Sequence, residues 1–309
     1  MSMPTATQQP APSHDLPAGR DVREVQADFG HYTLPAHIRQ GQRDGDCPVL
    51  ALHGARSDLH RWGPLLAPLH ALGVGSLAPS LSGHGPESPM PVEQTSLAHN
   101  LHEAQRFATL AGPGLRMVMG SSLGGALAMR VAELMNTQHP DRVQVLALLG
   151  PALYPEAAWT AAHFGPPFRT AISTPFGFLQ SRSLDFLRRF KGRVLLIQGE
   201  WDGLQATAHG APAGRSAGEV AVTLPDGSTR TVWSPIPAEV FDAIRAASGA
   251  RLQHIVLAQC DHRVGAHLAT YPAVAQTLAQ LLHAALRPAD AAANLPARLQ
   301  IDTSGCVSS

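Results

Sequence analysis

The run Met119-Gly120-Ser121-Ser122-Leu123-Gly124-Gly125 limits the folds open to this 309-residue chain more than any other stretch. It lies between an apolar segment (Leu115, Met117, Val118), which predicts a strand, and Ala126 to Ala132, which predicts a helix. A chain that passes from strand to helix within a few residues turns so sharply that neighbouring Cβ atoms collide. Glycines at 120 and 124 remove those atoms and leave Ser122 exposed in a strained conformation. Framed in this way, its hydroxyl is a candidate nucleophile for a carbonyl carbon. For Ser121 the flanks would be Met119 and Leu123, whose side chains would crowd the turn, so Ser121 is expected as a neighbour lining the pocket. The same small residues would also serve a helix packed tightly on a strand with no chemistry, so the rest of the chain decides.

Short apolar runs alternate with helical patterns along most of the chain. Strands are predicted over Val22–Phe29, Tyr32–Arg39, Pro48–Leu52, Val74–Ala78, Val143–Leu149, Arg193–Ile197 and Ile255–Ala258. Helices are predicted through Trp62–Leu72, Thr95–Leu110, the segment after Ser122 to about Asn136, and Ala273–Leu286. This alternation predicts a mainly parallel sheet with helices on both faces, in which ligands sit at the carboxyl ends of strands. His53, Gly83, Ser122, Gly150, Asp202 and His262 all fall at such ends.

Two segments stand apart. Residues 151–190 are rich in aromatic side chains (Tyr154, Trp159, Phe164, Phe168, Phe176, Phe178) without obvious regular structure, and are expected to form a cap or lid with Trp159 and Phe164 on the substrate. Residues 203–249 form an insertion in which alternation around Asp226-Gly227 predicts a β-hairpin. The remaining ends, 1–20 and 288–309, are expected as mobile tails flanking a domain over 21–287.

Composition excludes several classes. The 23 basic and 23 acidic residues balance, giving no electrostatic case for nucleic acid as a partner. No apolar run approaches the ~20 residues that span a bilayer, and residues 1–20 lack a basic head followed by an apolar stretch. Cys47, Cys260 and Cys306 form no disulfide framework, which together with the missing leader predicts a cytoplasmic protein. There are 16 histidines, yet none has metal-ligand spacing, since His102-Glu103 has Arg106 where a second histidine is needed, so no metal is expected. Oligomeric state is not legible.

A serine hydroxyl needs a base, and the base needs a partner that holds its ring. Asp202, in Gly199-Glu200-Trp201-Asp202, follows a strand end downstream of the serine; it would otherwise cap a turn. His262 follows the last apolar strand, with His267 further along as a reserve. An oxyanion formed on the substrate would need two donors, for which the backbone N–H groups of Leu123 and Ala55 are placed. His53 is expected to brace the Ala55 loop, and Arg56 beside it would either meet a substrate carboxylate or point into solvent.

With these residues in view, the chain from about Val22 to Leu286 resembles the α/β-hydrolase superfamily. His53-Gly54, Ser82-Gly83-His84-Gly85, Gly120-Ser121-Ser122-Leu123-Gly124-Gly125, Gly199-Glu200-Trp201-Asp202 and His262 follow the family's order. The resemblance implies an eight-stranded, mostly parallel sheet with its second strand antiparallel and a small cap after the sixth strand. It also implies a cofactor-free mechanism in which Ser122 is acylated and water activated by His262 releases the acid. Ser80 departs from the aspartate that many relatives carry in this loop, Ser88 is shifted, and the interval from Asp202 to His262 is longer by about one hairpin. The expected activity is hydrolysis of an ester or thioester of a small to medium substrate. The same triad also serves amide, lactone or peracid chemistry in relatives, and a non-catalytic binder on the same fold is the reading from a different class.

Overall fold

The computed structural model describes residues 22–42, 47–205, 218–287 and 296–309. Continuous apolar runs make the centre of the sheet. Strand β3 (Val49–Leu52), β4 (Ser76–Pro79) and β6 (Val145–Leu149) are buried at every position, and β5 (Met117–Ser121) at all but its last. Both sides are covered because alternate residues point to opposite faces. Leu50, Leu52, Val118, Leu146 and Leu148 join one core with Phe107 of helix α2 (Leu97–Leu110) and Leu127 of α3 (Leu123–Gln138). Val49, Ala51, Met117, Met119 and Val145 join a second core with Leu65 and Leu69 of α1 (Gly63–Ala71) and with Leu278 and Leu282 of α9 (Pro272–Ala285).

The N-terminal hairpin pairs β1 (Val22–Asp28) with β2 (Thr33–Arg39), and β2 runs antiparallel to β4. From β4 the sheet continues in parallel through β3, β5, β6, β7 (Arg193–Gly199) and β11 (Leu252–Leu257). A short strand β8 (Gly203–Gln205) bridges to Pro237, and β9 (Glu219–Thr223) pairs with β10 (Thr229–Trp233) in the hairpin read from Asp226-Gly227.

Among the described residues the main sheet has 10 strands rather than the expected eight. The first eight carry the antiparallel second strand that the family resemblance implied. The other two correct the expectation of a mobile tail, because β12 (Arg298–Ile301) adds in parallel to β11 and β13 (Val307–Ser308) closes back on β12. Asp302 makes the turn between them, its carboxylate accepting from the N–H groups of Ser304 and Cys306, both at 2.9 Å. This end is so short, and only its alternate residues Leu299 and Ile301 are buried, that its pattern gives little signal. The expected N-terminal tail lies outside the described residues.

The cap is helical rather than irregular: α4 (Glu156–Trp159), α5 (Pro166–Ser173), a 3-10 turn (Gly177–Gln180) and α6 (Arg182–Arg189) follow β6. Its rings pack on one another, Phe164 against Phe168 at 4.9 Å and Tyr154 against Phe168 at 5.6 Å between centroids. Helix α7 (Ala238–Ser248) follows the hairpin and buries Val240, Phe241 and Ile244 in the first core, while α8 (Val264–Thr270) follows β11. Among the described residues no helix is long and apolar enough to cross a membrane.

Ending the chain at Arg287 should therefore cost stability. It exposes β11 and removes Leu299 and Ile301, 3% and 0% exposed; two such side chains stabilise by about 3–5 kcal/mol. Urea unfolding should show that loss, and an unchanged midpoint would mean that β12 adds nothing to the core.

Candidate active site

The turn between β5 and α3 is built from backbone contacts too close for side chains. A Cβ on Gly120 would lie 2.0 Å from the Gly124 carbonyl oxygen, and one on Gly124 would lie 2.0 Å from that of Leu52. Helix α3 thus starts against β3 as well as β5. Ser122 takes φ 53° and ψ −117° there, a strained conformation for a residue with a side chain. Its N–H donates to Leu149 O at 3.0 Å and its carbonyl accepts from Gly125 and Ala152, both at 2.9 Å. The backbone is pinned on both sides, leaving the hydroxyl as the group free to act.

Strand ends bring the other parts around it. Asp202 follows β7 and is 2% exposed, and its Oδ2 lies 2.7 Å from His262 Nδ1 beyond β11. Burial raises the Asp202 carboxyl pKa above its ordinary value, while hydrogen bonds from His262 and the Gly203 N–H oppose that rise. Gly150, at φ 49° after β6, makes room for the pair: a Cβ there would lie 2.9 Å from Asp202 Oδ2 and 3.1 Å from His262 Nδ1.

The neighbouring carboxylates face elsewhere. Glu200 Oε2 accepts from the Gln259 N–H at 2.7 Å, and Asp261 accepts from the Trp233 N–H at 3.0 Å while pairing with Arg263. His267 is buried in α8 against Tyr271, at 4.7 Å between ring centroids. Cys260 is buried, its thiol pKa pushed up by that burial, whereas Cys306 is exposed.

His53 is fully enclosed between β3 and the loop after β4. Its Nε2 lies 2.9 Å from the Leu81 N–H and its Nδ1 2.8 Å from the Gly54 carbonyl. The first contact requires an acceptor and the second a donor, so the neutral ring protonated on Nδ1 satisfies both. The ring therefore ties the Ala55 loop to the Ser82–Gly85 loop. That second loop hangs on Glu103, which is 0% exposed and accepts from Ser82 N at 3.1 Å, Asn100 Nδ2 at 3.1 Å and the Tyr32 hydroxyl at 2.8 Å. Near the position where Ser80 departs from the family's usual aspartate, a carboxylate from α2 holds the loop.

Ser121, Ser122, His262, Ala55 and Arg56 line one cavity of about 640 Å³, together with Arg61, Trp62, Leu65, Leu149, Ile172, Trp233, Leu268 and others. Leu123 begins α3 beside it. Trp159 and Phe164, expected on the substrate, do not line it. Trp159 is buried under the Arg130 guanidinium, 4.8 Å from its ring centroid, and Phe164 lies 5.6 Å from the His84 ring. Both hold the cap to the body of the protein. The aromatic wall comes instead from Trp62 and from Trp233 of the hairpin, whose carbonyl accepts the His262 N–H at 2.9 Å. The alternation that gave the hairpin left open which way its last residue faces.

The chain belongs to the alpha/beta hydrolase family, whose model matches residues 49–296. It is 33% identical over 120 residues to lipase LipV of Mycobacterium tuberculosis, a match that covers 39% of this chain and 43% of the relative's length. Among solved structures it resembles the ferulic acid complex of Est1E from Butyrivibrio proteoclasticus, with TM-score 0.56, 18% identity, and 84% and 98% of the two chains covered. The thioesterase domain from the curacin biosynthetic pathway is similar at TM-score 0.55 and 17% identity, with 85% and 99% covered. At such identities these structures share the fold alone.

The enclosure of His53 gives a pH dependence. Burial lowers its pKa to about 4 from an unfolded value of 6.5. The neutral ring's contribution is present above pH 6.5 and is lost as pH falls through 4, because protonating Nε2 leaves the Leu81 N–H facing a second donor. The shift corresponds to about 3 kcal/mol. Urea titrations between pH 7.5 and 4 should show this slope, flattened in His53→Asn; equal slopes would remove His53 as its source.

Proposed function

We propose that this chain is a serine hydrolase that cleaves an ester or thioester bond through an acyl-enzyme on Ser122. The observation that carries the reading is the 2.7 Å contact of His262 with buried Asp202, beside the cavity that both His262 and Ser122 line. Asp202 accepts a hydrogen bond from the Nδ1–H of His262, which holds the proton on Nδ1 and leaves Nε2 unprotonated as the base. Nε2 takes the Ser122 proton while Oγ attacks the carbonyl carbon. The N–H groups of Ala55 and Leu123 receive the oxyanion, the latter at the start of α3, where the helix dipole favours negative charge.

His262 then passes its proton to the leaving alcohol or thiol as the carbonyl re-forms on Ser122. Water, deprotonated by the same ring, repeats the attack and releases the acid. The cavity has the size of a small to medium substrate, and its apolar walls suit an acyl chain. The relative named a lipase supports ester chemistry over other uses of the triad.

Ser122→Ala should fold normally and lose ester hydrolysis by at least about 10⁴-fold, along with labelling by a fluorophosphonate probe. Wild-type turnover in that variant would sink the proposal. Asp202→Asn should lower kcat by about 10³–10⁴-fold, because an amide holds the imidazole in the wrong tautomer. Its thermal midpoint should not fall, since the substitution removes a buried charge whose ionisation burial opposes.

A further inference from the structure

The charges around the cavity do not balance. Arg56, Arg61 and Arg263 line it, and no carboxylate stands among its lining residues. Arg263 is neutralised by Asp261, which it meets through Nε at 3.0 and 3.2 Å and through its terminal nitrogen. Among the described residues, the side chains of Arg56 and Arg61 form no ion pair or hydrogen bond. Two exposed arginines without an ion-pair partner thus line a cavity whose remaining walls are largely apolar, in a chain whose formal net charge is 0.

Both arginines are placed by local structure. Arg56 takes φ 57°, a left-handed conformation that costs free energy for a side chain of its size. It comes one residue after Ala55, so it is near the proposed oxyanion site. The stem of Arg61 lies against α8, where Gly265 makes room for it: a Cβ at 265 would lie 2.8 Å from Arg61 Cγ. A helical glycine is otherwise unfavourable relative to alanine.

Building on the serine hydrolase reading, we infer that Arg56 and Arg61 form an anion subsite, and that the preferred substrate is an ester carrying a carboxylate or similar anionic group a few bonds from the scissile carbonyl. The guanidinium groups meet the anion by charge-assisted hydrogen bonds while the apolar walls take the connecting chain.

The test compares the 4-nitrophenyl monoester of glutaric acid with 4-nitrophenyl butyrate, its uncharged counterpart. The ratio of kcat/KM for the charged to the neutral ester should exceed unity in the wild type. It should fall by about tenfold in Arg56→Gln or Arg61→Gln, further in the double variant, and with added salt in the wild type. Because each variant is measured on both esters, a general loss of activity cancels. A ratio unchanged in the double variant overturns the subsite and leaves the serine mechanism standing. That mechanism fails separately, by absence of fluorophosphonate labelling at Ser122. Calorimetric titration of Ser122→Ala with glutarate reads the subsite without turnover. Binding weakened about tenfold or more by the two arginine substitutions supports it, and absent or unaltered binding overturns it.

Discussion

Everything at the centre of this molecule depends on how closely α3 approaches the sheet. Gly120 and Gly124 let backbone meet backbone where any side chain would collide, one against the helix start and the other against Leu52. That contact fixes the first turn of α3 at the carboxyl ends of β3 and β5 and forces Ser122 into its strained conformation. The N–H of Leu123 is positioned by the same contact, so the proposed nucleophile and the proposed oxyanion donor are set by one packing event. Side-chain flexibility has little part in it.

Around this contact, polar groups in the interior do work that apolar packing cannot. A neutral His53 joins two loops through one donor and one acceptor, and Glu103 gathers Ser82, Asn100 and Tyr32 at the root of the second. Such groups are costly if left unpaired, and when satisfied they admit one geometry only. The loops they hold carry Ala55 and Arg56, so the shape of the site rests on buried hydrogen bonds as much as on the two apolar cores.

Much of this was legible in the sequence. Strands β3, β5 and β6 read as unbroken apolar runs because both faces are buried, and the spacing of the glycines selected Ser122 over Ser121. The strand ends selected Asp202 and His262 as candidates, and the structure brings those two together. Directions of side chains were not legible. Trp159 and Phe164 share the aromatic character of Trp62 and Trp233, and only the three-dimensional path of the whole chain turns the first pair to the core and the second to the cavity. Helix α7 follows a hairpin whose pattern dominates that segment, and β12 has too few residues to show a period. Arg61 gave no signal at all, since its significance comes from Gly265, far away in the chain.

The hairpin insertion has a consequence for how such a site changes over time. Trp233 supplies a wall of the cavity, yet its carbonyl and N–H are also bonded to His262 and Asp261. The shape of the cavity and the proposed proton transfer therefore share a mechanical joint. A redesign that reshapes this wall by shifting the hairpin backbone will drag the imidazole with it, whereas changes confined to the indole ring leave the joint intact. Exchange of the Trp233 side chain leaves both bonds in place, whereas a grafted hairpin has to re-create them.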